Sequence, residues 1–178
     1  MKKLDLEQFN TLLESASVKP RLKSELRFVT STAHIKNEDW QHLELLAITD
    51  RSGNKGVLLI SIDSDAIYVL PCEFSKGITS STTGRAQPVI CDFCMTWQSG
   101  SKAGSILFTK TKQSPSSVGY LCCGDLACSK HVRTLTPESR VSRAQLREDL
   151  TNEQRVARLK KRLHNIMDDV KAAPISTI

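Results

Sequence analysis

Apolar positions recur at helical spacing at the start of the chain, where Leu4, Leu6, Phe9, Leu12, Leu13 and Ala16 share one face. The pattern predicts an amphipathic helix ending near Ser17, ahead of Pro20. The next stretch, "RLKSELRFVTSTAHI", fits helix and strand equally well. From His42 the period changes. "HLELLAIT", "GVLLISID" and "AIYVLP" are short runs rich in Ile, Val and Leu, separated by the turn-forming "DRSGNKG" and "DSD". They predict a three-stranded antiparallel meander whose first turn is longer than two residues. "EFSKGITSSTTGRAQP" (73–88) is polar, rich in Ser, Thr and Gly, and reads as a linker or loop. "VIC", "SILFTK" and "VGYLCC" follow as three more short strands, the last two joined through "TKQSPSSVG" as a hairpin tip.

The remainder reads as helices. "PESRVSRAQLREDL" is moderately periodic and "TNEQRVARLKKRLHNIMDDV" more strongly so. Thr151 and Gln154 match a capping box, in which each side chain bonds the other's orphan backbone N–H. Val156, Leu159, Leu163, Ile166, Met167 and Val170 form one apolar stripe. Arg155, Arg158, Lys160, Lys161 and Arg162 lie largely around the rest of the first turns, and Pro174 stops the helix.

Composition changes this picture in two ways. Hydrophobic residues make up 39% of the 178, enough for a packed core, and no apolar run approaches the ~20 residues that span a bilayer. The opening "MKKLDLEQFNTLLESAS" lacks the apolar stretch and cleavage site of a signal peptide, so the expected location is the cytoplasm. There, clustered cysteines point to metal or redox chemistry rather than disulfides. The charge is also uneven. Residues 1–90 hold 11 Lys/Arg and 11 Asp/Glu, whereas residues 129–178 hold 11 and 6, a net +5 just beyond the cysteine cluster. A basic segment beside a small fold suits an acidic protein face, RNA or a ribosome.

Cys91 and Cys94 form C-x2-C at a turn after a short strand. Two thiolates so spaced reach one metal, and a second pair must complete a tetrahedron. Cys123 and Cys128 offer C-x4-C; Cys122 and Cys128 offer C-x5-C. The 28 residues between Cys94 and Cys123 contain one hairpin, and "DLACSKHVR" then resembles a helix start with Asp125 as N-cap. Knuckle, hairpin, then a helix whose first turn carries the last ligand is a treble-clef arrangement, and the helix N-terminus favours thiolate there. Cys122 and Cys123 face opposite sides of a strand. The shorter reach favours Cys123 as third ligand, with Cys122 as the alternative; the other serves as a small core hydrophobe. His131, a helical turn past Cys128, is a further ligand candidate, but four cysteines already suffice. Cys72 reads as buried structure. The expectation is one structural Zn2+. Four thiolates close the site to catalysis, and the sequence has no Gly-rich phosphate loop, H-E-x-x-H or nucleophile elbow. No enzymatic activity is expected, and His34, His42, His131 and His164 read as surface or capping residues.

"VICDFC", "VGYLCCGDLACSKHVR" and "RVARLKKRLHNIMDDV" together resemble, over roughly residues 88–171, the C-terminal treble-clef zinc finger of the elongation-factor-G-binding family. That family includes the FusB-type fusidic acid resistance proteins. The resemblance implies a zinc-stabilised, non-enzymatic cytoplasmic protein that binds elongation factor G and modulates its interaction with the ribosome. It maps the zinc ligands onto Cys91, Cys94, Cys123 and Cys128. The pattern predicts one N-terminal helix where the resistance proteins have a bundle, so factor or ribosome binding carries over before drug protection does. The expected fold is α+β: an N-terminal helix plus antiparallel strands in 1–87, and a treble-clef zinc unit with basic C-terminal helices in 88–178. The expected partner surface includes Lys130, Arg133, Arg155 and Arg158, acting in a monomer with no membrane contact. Direct RNA or ribosome binding is the second choice; Trp40, Trp97, Tyr68 and Tyr120 stand too far apart to interleave as base-stacking platforms.

Overall fold

The computed structural model describes residues 1–16, 18–62, 66–80, 82–109, 116–139 and 149–176. The segment "PESRVSRAQLREDL", read above as a helix, lies mostly outside the described residues, as does most of the hairpin tip. Two compact units are formed from interleaved stretches: Met1–Phe74, Leu107–Val118 and Ile166–Ile178 in the first, Ser75–Ile106 and Gly119–Asn165 in the second.

The N-terminal apolar stripe forms helix α1, Leu6–Ser15, which buries Phe9, Leu12 and Leu13. Asp5 caps it by accepting from the Gln8 N–H, while the Gln8 side chain accepts from the Asp5 N–H. This reciprocal pair satisfies two donors that the helix itself leaves orphaned. The ambiguous stretch that follows is helical, so the expectation of a single N-terminal helix is corrected to three. Pro20 opens α2, Pro20–Glu25, where its missing N–H costs nothing, and α3 covers Phe28–Thr32.

The meander is present. Strands β1 (Leu45–Thr49), β2 (Lys55–Ile60) and β3 (Ala66–Lys76) pair antiparallel in sequence order. The first turn spans several residues, as expected. Asp50 accepts from the N–H groups of Asn54 and Lys55 and from the Ser52 hydroxyl, and Gly53 supplies a φ of +73°. These bonds hold the Asp50 carboxyl below its ordinary range against the opposing effect of burial. Alternate residues on β1 and β2, among them Leu46, Ile48, Val57 and Leu59, close a core with Phe9, Leu13, Phe28 and Trp40. β2 is buried on both faces from Gly56 onward, which explains its unbroken apolar run. At Gly56 the strands approach so closely that a Cβ would run into the Ile48 carbonyl. Gly56→Ala is therefore expected to open this pairing and to lower stability by about 2 kcal/mol or more, read as a shift of the denaturant midpoint.

β6 (Ala103–Thr109) and β7 (Ser117–Cys123) extend the sheet to five antiparallel strands in the order β1-β2-β3-β6-β7. Between β3 and β6, the short β4 (Val89–Ile90) and β5 (Trp97–Gln98) pair with each other. After β7 come the short α4 (Cys128–His131) and the long α5 (Asn152–Val170). α5 carries the capping box read from Thr151 and Gln154. Its stripe is buried at Leu159, Leu163, Ile166, Met167 and Val170, while Val156 is half-buried. The helix ends with Lys171 at φ +55°, and β8 (Ile175–Ser176) then pairs with Ala66 and Ile67. Among the described residues, no helix is long and apolar enough to cross a membrane.

Candidate metal centre

The first cysteine pair sits on a knuckle between β4 and β5. The Cys91 N–H donates to the Thr96 carbonyl and the Met95 N–H to the Cys91 carbonyl, with Met95 in the left-handed region at φ +60°. Two bonds fasten this knuckle to β7: the Asp92 N–H donates to the Leu121 carbonyl at 2.8 Å, and the Leu121 N–H donates to Asp92 Oδ2 at 2.7 Å. The second pair comes from the end of β7 and the start of α4. Gly124 passes close to Lys102, donating its N–H to that carbonyl at 2.7 Å. Leu126, at φ +52°, then turns the chain so that Cys128 begins the helix.

These elements bring Cys91, Cys94, Cys123 and Cys128 together, each at most 2% exposed, with all four Sγ atoms within 4.8 Å of one another. Cys91 and Cys128 are 3.8 Å apart, Cys94 and Cys123 3.5 Å. A tetrahedron of thiolates at ~2.3 Å from one Zn2+ has edges of ~3.8 Å, so the donor set and its spacing fit that ion. Cys122 is fully buried but outside the group, which selects Cys123 as the partner of Cys128. Cys72 is also buried, and its thiol is pushed up to about 12 by burial. The electrostatics describe four acids confined to one volume. Hydrogen bonds from Cys123, Cys128 and Cys91 hold Cys94 well below the ordinary thiol range, against the opposing effect of burial. Cys128 is driven well above that range by its contacts to Cys123, Cys91 and Cys94 and by burial. Cys123 rises too: its bond to Cys128 works in the opposite sense, but Cys91, Cys94 and burial outweigh it. Like charges so close do not all ionise unaided. A divalent cation would hold all four as thiolates and leave no open coordination position.

Two residues differ from the sequence reading. Asp125 is not the cap of α4; Ala127 occupies that position, and Asp125 Oδ1 instead accepts from the Ala127 N–H at 3.0 Å. His131 is not a surface residue. It is 1% exposed and directed at the sulfurs, with Nδ1 3.2 Å from Cys123 Sγ and 3.9 Å from Cys94 Sγ. Its Nε2 lies 3.4 Å from Asp125 Oδ2. Burial disfavours its charged form, but Asp125 and Cys94 overcome this and raise it to about 10. The available signal was spacing: on a helix that begins at Cys128, His131 returns to the same face one turn on.

The four cations expected at the partner surface all belong to the second unit. Lys130 and Arg133 flank the end of α4, and Arg133 Nη1 donates to the Ser129 carbonyl at 2.7 Å. Arg155 and Arg158 are half-buried on α5 with their Nε atoms enclosed, whereas Lys161 and Arg162 are exposed. The sequence marked the basic helix without distinguishing its enclosed cations from its outward ones.

No curated protein and no solved structure gives a significant match to this chain. The family described as "FBP C-terminal treble-clef zinc-finger" matches residues 16–170, a wider span than the three motifs that suggested it. With that match over most of its length, and with four buried cysteines grouped so that they could hold one metal ion, the chain belongs to the FBP C-terminal treble-clef zinc-finger family.

Proposed function

We propose that this chain is a non-enzymatic cytoplasmic protein that binds translation elongation factor G and modulates the factor's interaction with the ribosome. The observation that carries the proposal is the pairing, in one compact unit, of a closed tetracysteine site with the basic stretch of α5. A site of four thiolates serves stability rather than turnover, since it offers no coordination position for a reacting water. The basic residues then supply the recognition surface. Lys161 and Arg162 are its outward charges, beside the half-buried Lys130, Arg133, Arg155 and Arg158. Such charges mainly speed encounter and fix register. The family resemblance supplies elongation factor G as the partner.

The immobilised chain is expected to retain elongation factor G from bacterial lysate at moderate salt. Lys161→Glu with Arg162→Glu is expected to reduce retention about tenfold without altering the fold, since both side chains are exposed. Retention of ribosomal RNA in place of the factor, with affinity falling steeply against log salt, would instead assign an RNA-binding module. The burial of Trp40, at 3% exposed, removes one candidate stacking platform from that alternative.

A further inference from the structure

Asp125 and His131 lie on one nine-residue segment that also carries two of the sulfurs, and their contacts form a chain that ends on one of them. Asp125 is anchored by the Ala127 N–H at Oδ1 and meets His131 Nε2 through Oδ2. The other ring nitrogen of His131 faces Cys123 Sγ at 3.2 Å. Burying an imidazole costs free energy unless its nitrogens are partnered: Nδ1 has the Cys123 sulfur, while Nε2 has the 3.4 Å ion-pair contact to Asp125 Oδ2 without an aligned hydrogen bond. Cys123, Asp125 and His131 also lie close enough to suggest a second metal site. Cys123 already belongs to the four-cysteine set, however, and the two ring nitrogens of His131 face different partners, Nδ1 the sulfur and Nε2 the Asp125 carboxylate. The geometry has the form of a supporting shell: a donor on a thiolate, and a carboxylate behind the donor.

We propose that His131 is a positioning residue of the metal centre, donating Nδ1–H to Cys123 Sγ while Asp125 fixes the ring from its far side. The proposal rests on the assignment of a structural zinc to the four cysteines. A tetrathiolate zinc site carries two net negative charges, and a hydrogen bond to one sulfur draws electron density from it. That sulfur becomes the least nucleophilic of the four. The ring reaches only the Cys94–Cys123 side of the site, so the protection is unequal among the four.

The test is timed alkylation of the zinc-loaded full chain with iodoacetamide, mapped residue by residue by mass spectrometry. The thiolate-to-metal charge-transfer band of the cobalt-substituted protein is read alongside it. His131→Ala is expected to raise the Cys123:Cys91 alkylation ratio about tenfold and to move the cobalt band to lower energy. His131→Asn, whose amide N–H can stand where Nδ1 stood, is expected to restore most of both. Asp125→Asn is expected to give an intermediate ratio; its side chain is 53% exposed, so the fold should tolerate the change. Equal acceleration at all four cysteines, or an unchanged ratio and band in both His131→Ala and Asp125→Asn, would overturn the proposal. If His131→Ala does not fold, the Asp125→Asn ratio and band decide alone. Absence of zinc from the wild-type chain by elemental analysis would instead remove the metal assignment itself.

Discussion

Cys94→Ser, or a strong chelator added to the wild-type chain, is expected to unfold residues 88–135. Cys94 is buried and is the sulfur that joins the knuckle to Cys123, 3.5 Å away. Around it the secondary structure is slight: β4 and β5 have two residues each, and α4 has four. Elements this short do not persist by propensity, because a helix of one turn has barely passed its nucleation cost. A structural zinc contributes on the order of 10 kcal/mol of folding free energy, comparable with the whole stability of an ordinary domain. Hydrogen exchange should therefore show amide protection lost across the knuckle, the end of β7 and α4, while the paired amides of β1 and β2 keep theirs. Unchanged thermal stability of Cys94→Ser, together with no zinc in the wild type, would sink the idea.

Phe9→Ala should be the most damaging single truncation in the first unit. Phe9 is 2% exposed and stacks on Phe28 with ring centroids 4.7 Å apart and 22° between planes. Removing it deletes the buried ring, leaves a cavity beneath α1 and strips α3 of its aromatic partner. Phe→Ala changes in cores cost about 3–5 kcal/mol, and a stacked pair adds about 1 kcal/mol beyond area. For a chain of this size each kcal/mol lowers the melting temperature by roughly 2–4 °C, so a fall of about 10 °C is expected by scanning calorimetry. A fall under 2 °C would show that α1 contributes little to this core.

The two substitutions probe parts of the chain that differ in how openly the sequence declared them. The meander was legible because its apolar runs have a period of their own and its turns carry Asp50 and Gly53, which supply bonds and conformations that few residues can. The tetracysteine set was legible because ligand spacing is a constraint of reach, and reach is written directly in residue number. α2 and α3 were not, since helices of six and five residues with one buried side chain between them owe their form to packing. β8 was invisible for a similar reason: two residues past Pro174 have no pattern, and their pairing is decided by Ala66 and Ile67, far off in sequence. His131 was misread because composition offers no distinction between a histidine that faces water and one that faces sulfur. Its spacing from Cys128 was the local signal, putting it on the same helix face one turn on, but with four cysteines already sufficing that signal carried no weight.

The pair of hydrogen bonds between Asp92 and Leu121 has a consequence for the lifetime of the bound ion. It joins the segment bearing Cys91 and Cys94 to the strand that leads into Cys123 and Cys128, without passing through any sulfur. An ion that slips from one cysteine pair is still gripped by the other, and the vacated sulfurs stay tethered beside it at an effective concentration in the millimolar range. Recapture then competes favourably with escape. Exchange with bulk metal requires both grips to fail together, so the dwell time of the ion should far exceed what either pair could give alone.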